Sequence, residues 1–217
     1  MQINRLIVLL LIIASCPAIK AQKTNSAYLF ADFQSAKVYF SNGQQANERV
    51  NYHLLSNKIR FIDRKDQQVK EVSDTKVLDS IVVGKRVFIP NPDQEGWMEI
   101  LSAKPVVQVQ YFVKGKTKGQ EAAYGGTSEL ASTKSYSEYR DGGTFLMPKV
   151  QEMEVASYYN YYWIVKDGKR KQFKSLVQFV KLYPNQKDQL NKYIQDNAVK
   201  FEDTEAIVKL CCYAENL

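Results

Sequence analysis

The chain has 217 residues, of which 45% are hydrophobic and 24% are charged, and its formal net charge is +7. This composition is typical of a globular protein of one or two domains, and it excludes collagen-like, low-complexity and wholly disordered chains. Three cysteines are too few for a disulfide scaffold, a single histidine excludes a multi-histidine metal site, and no apolar stretch suits a multi-span membrane protein. The sequence predicts neither a metal site nor a cofactor.

The amino terminus has the order of residues that is typical of a secretory signal peptide. Arg5 precedes nine consecutive apolar residues at positions 6–14, and small and polar residues follow. Such a run is too short to span a bilayer, so the pattern indicates a cleaved export signal. We therefore expect an exported protein of the periplasm or outer envelope.

Two processing sites fit this segment. Cleavage after Ala21 would remove residues 1–21, and we favour it. Alternatively, residues 13–16 have the pattern of a bacterial lipobox, in which Cys16 would be lipidated and would tether the protein to a membrane. The chain stays basic after either cut, which favours contact with anionic lipids or acidic glycans, and export makes nucleic acid an unexpected partner.

Residues 22–172 are predicted to form a β-rich domain. Apolar and polar residues alternate in several short runs, and turn residues such as Asn42-Gly43 separate them. Many short strands with tight turns favour an antiparallel meander, closed as a sandwich or a barrel. The runs lie at residues 36–40, 50–54, 59–61, 77–83, 87–89, 97–101 and 107–113.

Residues 114–143 are rich in glycine and have no apolar period, so they are predicted to form a long loop. Such a loop would be mobile, functional, or a strand pair whose pattern is concealed. Two further strands are predicted at 150–156 and 158–165. Asp167-Gly168 then indicates a hairpin that closes with residues 169–173.

The segment 173–217 is predicted to be helical. A first helix face would comprise Phe173, Leu176, Val177 and Val180, and Pro184 would end that helix. Asn185 is the predicted cap of a second helix, and Asp203 that of a third. Because short amphipathic helices cannot bury their apolar faces alone, we expect them to pack on each other and on the β body, giving an α+β fold. The other predicted buried faces are Leu190, Tyr193 and Ile194, and Ile207, Leu210 and Cys211.

Four segments together resemble a known group of proteins. They are the Ala21-Gln22 junction, the region around Asn51-Tyr52, the hairpin at 162–169 and the helical tail at 179–213. They are similar to exported envelope proteins of unknown function that are common in Bacteroidota. The resemblance covers much of the mature chain and contains no catalytic motif, so it implies a location and no activity.

An aromatic run at residues 158–163 is the most unusual local feature. On a strand, Tyr159, Tyr161 and Trp163 share one face, and Tyr158 and Tyr162 share the other. A flat aromatic face suits stacking against sugar rings or a partner protein. The alternative is a sheet packed on both sides, with helices over one face. We take Tyr159, Tyr161 and Trp163 as the candidate binding residues.

Other chemically capable side chains are predicted to be structural. His53 is expected at the surface or boundary of a strand. Cys211 should be a buried thiol and Cys212 a boundary thiol, because a disulfide between helical neighbours would be strained. Glu99 and Glu154 are candidate glycosidase carboxylates, but solvated surface charge is the preferred interpretation.

The sequence therefore predicts an exported, non-catalytic binding or interaction module of the cell envelope, with an envelope protein or a glycan as partner. Two alternatives stay open. One is a carrier of a small apolar ligand in a barrel-like cavity, and the other is a carbohydrate-active enzyme. Nothing in the sequence indicates an oligomeric state.

Overall fold

The structure is a computed structural model, and it describes residues 26–72, 75–117, 153–166 and 168–217. The predicted signal peptide, Cys16 and most of the predicted loop lie outside the described residues, as does the side chain of Glu154. None of the helices in these ranges is long and apolar enough to cross a membrane.

Within these ranges, ten antiparallel strands form one sheet, in the order β10-β9-β8-β7-β6-β5-β1-β2-β3-β4. Two meanders, β1–β4 and β5–β10, join where β1 pairs with β5. This arrangement, followed by helices, confirms the predicted α+β class. The strands are β1 (Gln34–Phe40), β2 (Gln45–His53), β3 (Lys58–Ile62), β4 (Val69–Glu71), β5 (Leu78–Val83), β6 (Arg86–Pro90), β7 (Trp97–Ala103), β8 (Val106–Thr117), β9 (Met153–Lys166) and β10 (Lys169–Phe173).

Two hydrophobic cores lie along the sheet. The first joins strands β8–β10 to the helices, with Tyr162 and Phe173 fully buried. The second joins β1–β3 and β5–β7, and it includes Val113 and Val155 from the far end of the β8–β9 pair. Because β3 and β9 lie far apart in strand order and still share this core, the sheet must curl over itself.

The predicted hairpins form, with one difference in turn geometry. At Asn42-Gly43 only Gly43 has a positive φ, +83°. The Phe40 amide donates to the Gln44 carbonyl, so the chain makes a longer loop than a two-residue turn with two positive φ angles. Between β9 and β10, Lys166 pairs with Lys169 around Gly168, which confirms the predicted two-residue turn.

Several predicted strand limits are wrong. Residues 114–117 of the predicted loop continue β8 and pair with β9, which agrees with the alternative of a concealed strand pair for this part of the segment. The two strands predicted before Asp167 are one strand of 14 residues. The short strand β4 was not predicted individually. Its Glu71 pairs with Arg60, whose side chain donates to the Glu71 carboxylate at 2.7 Å.

The first two helices begin at different residues from those predicted. Helix α1 (Leu176–Lys181) starts after Ser175, whose hydroxyl accepts the Gln178 amide. Phe173 therefore belongs to β10 and Val177 is 67% exposed, so these two residues of the predicted apolar face are wrong, whereas Leu176 and Val180 pack in the first core as predicted. The predicted cap Asn185 is also wrong, since it lies within a 3-10 turn, Pro184–Gln186, that precedes helix α2 (Lys187–Asp196).

Helix α3 (Thr204–Glu215) matches its prediction. The Asp203 carboxylate accepts the amides of Glu205 and Ala206 at 3.0 and 3.1 Å. Cys211 is buried, Cys212 is half-buried, and both thiols are free. Burial raises the pKa of the Cys211 thiol, so it stays protonated and packs as a small apolar side chain. The expected buried residues Ile207, Leu210 and Leu190 all lie in the first core.

Candidate binding face

Strands β8, β9 and β10 present one side away from the helices, and we call it the outer face. Register fixes its members, because paired residues in an antiparallel sheet point to the same side. Tyr159, Tyr161 and Trp163 share this face, as the alternation predicted, and Tyr162 lies on the opposite side in the helical core. Their role in binding stays a prediction. The outer face comprises Gln108, Gln110, Phe112 and Lys114 of β8, Tyr159, Tyr161 and Trp163 of β9, and Arg170, Gln172 and Lys174 at β10.

Three half-buried rings pack together on this face, and we call them the ring cluster: Phe112, Tyr159 and Tyr161. Phe112 stacks on Tyr159 with centroids 5.1 Å apart, and its centroid lies 4.7 Å from that of Tyr161. Burial, with the neighbouring Tyr161, raises the pKa of Tyr159, so this phenol stays neutral. Sequence reasoning missed Phe112. The sequence does contain a signal for Phe112: it is an aromatic residue at a position of β8 where the alternation of apolar and polar residues predicts a polar one.

Two exposed lysines flank the ring cluster. Lys174 Nζ lies 4.2 Å from the Tyr161 ring centroid, and Lys114 Nζ lies 5.9 Å from that of Tyr159. Neither lysine has an ion-pair partner within the described part of the chain. Ammonium groups over ring faces are attracted by the ring quadrupole, and both remain available to an anion.

Trp163 shares the outer face with Tyr159 and Tyr161 but is not presented to solvent. It is 3% exposed, and the Arg170 guanidinium lies 5.5 Å from its ring. Arg170 also pairs with Asp93 at 2.6 Å and donates to the Met98 sulfur at 3.1 Å. Trp163 is therefore covered by an arginine that is itself held in place, and the accessible aromatic surface is the ring cluster.

Two buried polar atoms beside Trp163 have no hydrogen-bond partner within the described ranges. They are Gln108 Oε1 and Arg170 Nε. Gln108 is the register partner of Trp163 and is 8% exposed. A buried acceptor and a buried donor without partners are each costly, and a hydroxyl group can satisfy either kind.

The loop at residues 91–96 borders the outer face. Gln110, which is fully buried, accepts hydrogen bonds from Asn91 and Gln94 at 2.7 Å each and donates to the Glu95 carbonyl at 2.9 Å. Gly96 has a φ of +113°, and a Cβ there would lie 2.3 Å from Gln110 Nε2. The loop is thus fixed against the sheet at Gln110.

Glu99 is not a solvated surface charge, so that prediction is wrong. It is 6% exposed, and Arg86 donates to its two carboxylate oxygens at 2.8 and 2.7 Å. The Tyr111 hydroxyl donates to it as well. Burial and the negative charge of Glu99 raise the pKa of Tyr111. An arginine rather than a second carboxylate faces Glu99, which does not suit a glycosidase pair.

His53 lies at a strand end and is half-buried, in agreement with the predicted boundary position. Its Nδ1 lies 2.8 Å from the Ser56 hydroxyl and accepts the Ser56 amide at 3.3 Å. Burial, and next the Arg60 charge, lowers the pKa of His53 to about 4. Nδ1 of His53 thus holds the backbone amide of Ser56, three residues further along the chain, and this contact closes the turn between β2 and β3.

Metal and apolar-ligand sites find little support in the described residues. They contain no group of three or more His, Cys, Asp or Glu side chains that could hold a metal ion. Tyr52, Phe88 and Trp97 fill the second core and are almost fully buried. A surface cleft of about 490 Å³ is lined mainly by polar side chains such as Asn47, Glu48 and Arg49.

Comparisons of the chain with protein families, with curated proteins and with solved structures found no match. Functional inference therefore depends on the geometry and chemistry of the outer face.

Proposed function

We propose that this protein is an exported, non-catalytic binding module of the cell envelope and that it holds an anionic envelope component on its outer face. The observation that carries the proposal is the ring cluster beside Lys114 and Lys174, on the side of the sheet that the helices leave uncovered. The amino-terminal pattern at residues 1–21 supports export.

The two sides of β9 differ in a way that supports binding. Tyr162 is fully buried, and its hydroxyl donates to the Phe201 carbonyl, so it belongs to the core. Tyr159 and Tyr161 keep part of their rings in solvent beside cations. Partly exposed aromatic and cationic side chains favour recognition of an anion with apolar surface.

Export is tested by producing the full chain, with its own amino terminus, in a Gram-negative host. We expect a processed protein in the periplasmic or membrane fraction. Its mass distinguishes cleavage after Ala21 from lipidation of Cys16. An unprocessed protein in the cytoplasm would contradict the export part of the proposal.

Binding is tested by co-sedimentation of the purified protein with envelope fragments of the organism that naturally produces it. The face variant combines Tyr161→Ala with Lys174→Gln. The control variant combines Tyr39→Ala with Lys37→Gln, a matched pair on β1 in which Lys37 Nζ lies 5.5 Å from the Tyr39 ring.

We expect the wild type and the control variant to sediment with the fragments and the face variant to stay in solution. Added salt should weaken the interaction, because it screens exposed charges. Equal sedimentation of the two variants, or no sedimentation of the wild type, would overturn the proposed binding function.

A further inference from the structure

Within the described residues, the outer face combines apolar rings, two cations without ion-pair partners and two polar atoms without hydrogen-bond partners. From this combination we infer that its ligand is an acidic polysaccharide, a chain of sugars that bear carboxylate groups. The inference rests on the proposed function, which it narrows to one class of ligand. Each of the three features corresponds to a different part of such a molecule.

The two lysines start from well-separated backbone positions, and the rings between them keep their ammonium groups at most about 16 Å apart. Lys114 pairs with Ser157, and Lys174 follows Phe173, the partner of Tyr162. The Tyr161 ring, beneath Lys174, is four residues along β9 from Ser157. That offset is roughly 13 Å along the strand, and two strand spacings add roughly 10 Å across the sheet. A chain with repeated carboxylates can offer each lysine its own negative charge, whereas a single sugar acid has one carboxylate for the two.

The ring cluster lies between these two lysines. The C–H groups of a pyranose ring carry partial positive charge and suit the negative face of an aromatic ring. Because Phe112, Tyr159 and Tyr161 pack against each other and are half-buried, they form a fixed surface that needs little ordering on binding. A sugar chain laid from Lys114 to Lys174 would pass over them.

Gln108 Oε1 and Arg170 Nε supply the third feature. Gln108 is more than nine-tenths buried, and neither of these atoms has a hydrogen-bond partner in the described part of the chain. Both residues are on the outer face at Trp163, next along β9 from Tyr161. Each of these atoms exposes less than 1 Å² to solvent, so a sugar hydroxyl, which both donates and accepts, pairs with them only when the Arg170 side chain moves aside.

A lipid surface suits the same residues less well. Peripheral membrane binding requires apolar side chains that insert among the acyl chains. The three rings pack against one another on a sheet, and none is among the large hydrophobic side chains that are strongly exposed. The two unpaired lysines also provide much less charge than a polybasic cluster.

The inference is tested by calorimetric titration of the purified protein with polygalacturonate, with its oligosaccharides and with galacturonic acid. Dextran serves as the uncharged polysaccharide, and vesicles that contain phosphatidylglycerol serve as the lipid. We compare the wild type with Lys114→Gln, Lys174→Gln, Tyr161→Ala and the control variant. Circular dichroism and thermal unfolding confirm that each variant is folded.

We expect oligosaccharides to bind more tightly than galacturonic acid, and dextran to show no binding. Each lysine replacement should weaken binding about fivefold and Tyr161→Ala about tenfold. The control variant should bind as the wild type does. Since Lys114→Gln and Lys174→Gln alter exposed side chains, their effect does not depend on a folding defect.

Three outcomes would overturn the inference. The first is that polygalacturonate does not bind. The second is that it binds equally well to the wild type and to the Lys114→Gln, Lys174→Gln and Tyr161→Ala variants. The third is that galacturonic acid binds as tightly as its oligosaccharides. Vesicle binding that is lost in the same variants would replace the glycan by a lipid and leave the proposed function intact. Failure of co-sedimentation with envelope fragments would instead remove the proposed function itself.

Discussion

The environment of His53, the single histidine of the chain, predicts an acid-sensitive loss of stability. Its Nδ1 accepts the Ser56 amide, and the positive charge of Arg60 disfavours protonation of the imidazole. Burial is the main cause that lowers its pKa to about 4, while Glu71 acts weakly in the opposite direction. The folded protein therefore contains a neutral imidazole down to mildly acidic pH.

The sign of the effect follows from proton linkage. In the unfolded chain the imidazole has a pKa of about 6.5, so below this pH the unfolded state binds a proton that the folded state does not. Acidification from pH 6.5 towards pH 4 then favours unfolding. At pH 5 the two pKa values give a loss of about 2 kcal/mol, and partial exposure of the ring to water reduces it to about 1–2 kcal/mol.

Urea unfolding between pH 8 and pH 5 measures this loss. The comparison is with His53→Asn, whose side-chain oxygen can accept the Ser56 amide and does not titrate in this range. We expect the free energy of unfolding of the wild type to fall by about 1–2 kcal/mol more than that of the variant. Because the chain has one histidine, its imidazole proton signal in NMR also reports the pKa directly. A signal that titrates near pH 6.5, or parallel pH profiles of the two proteins, would refute the reasoning.

Two further predictions concern residues that fix the sheet and the outer face. Glu99→Ala should lower the free energy of unfolding by about 2–4 kcal/mol in urea denaturation, because Arg86 would lose its partner while its side chain is only 34% exposed. The matched variant Glu48→Ala removes an exposed pair with Arg64 and should cost less than about 1 kcal/mol; equal costs would contradict this interpretation. Gly96→Ala should cost about 1–3 kcal/mol, because φ is +113° and the new Cβ would meet Gln110. An unchanged melting temperature would show that the loop at 91–96 is not fixed as described.

Local sequence patterns predicted most of the strands and the third helix, because alternation and capping are decided by near neighbours. Asp203 caps α3 through amides two and three residues away, and that information is local. The predicted face of the first helix extends too far towards the amino terminus because Phe173 continues a strand. Its apolar spacing from Leu176 fits a helix, but pairing with Tyr162 decides its conformation.

Burial of charged residues could not be predicted in the same way. Glu99 and Arg86 are thirteen residues apart, and only the pairing of β6 with β7 brings them together. A carboxylate in an apolar environment is stable there only if such a partner is present. The short strand β4 was missed for a related reason, since Arg60 of β3 supplies the partner of its Glu71.

The candidate site was predicted in part. Alternation within β9 places Tyr159 and Tyr161 on one face, and this needs no knowledge of neighbouring strands. Phe112 and Lys114 join them only through the register of β8 with β9. The burial of Trp163 depends on Arg170, which crosses from the next strand to Asp93.

The ring cluster by itself does not distinguish binding from stability, because aromatic cross-strand pairs stabilise many sheets. Lys114 and Lys174 distinguish a binding role of the rings from a purely structural one. If the rings served the fold alone, replacing Lys174 by glutamine would keep the contacts among the three rings, remove only the cation–π contact with Tyr161, and leave binding unchanged. A ligand that bears negative charge would still lose affinity, since Lys174 lies 4.2 Å from Tyr161 and has no carboxylate partner in the described residues. Lys174→Gln therefore separates a structural ring cluster from a binding surface without disturbing the sheet.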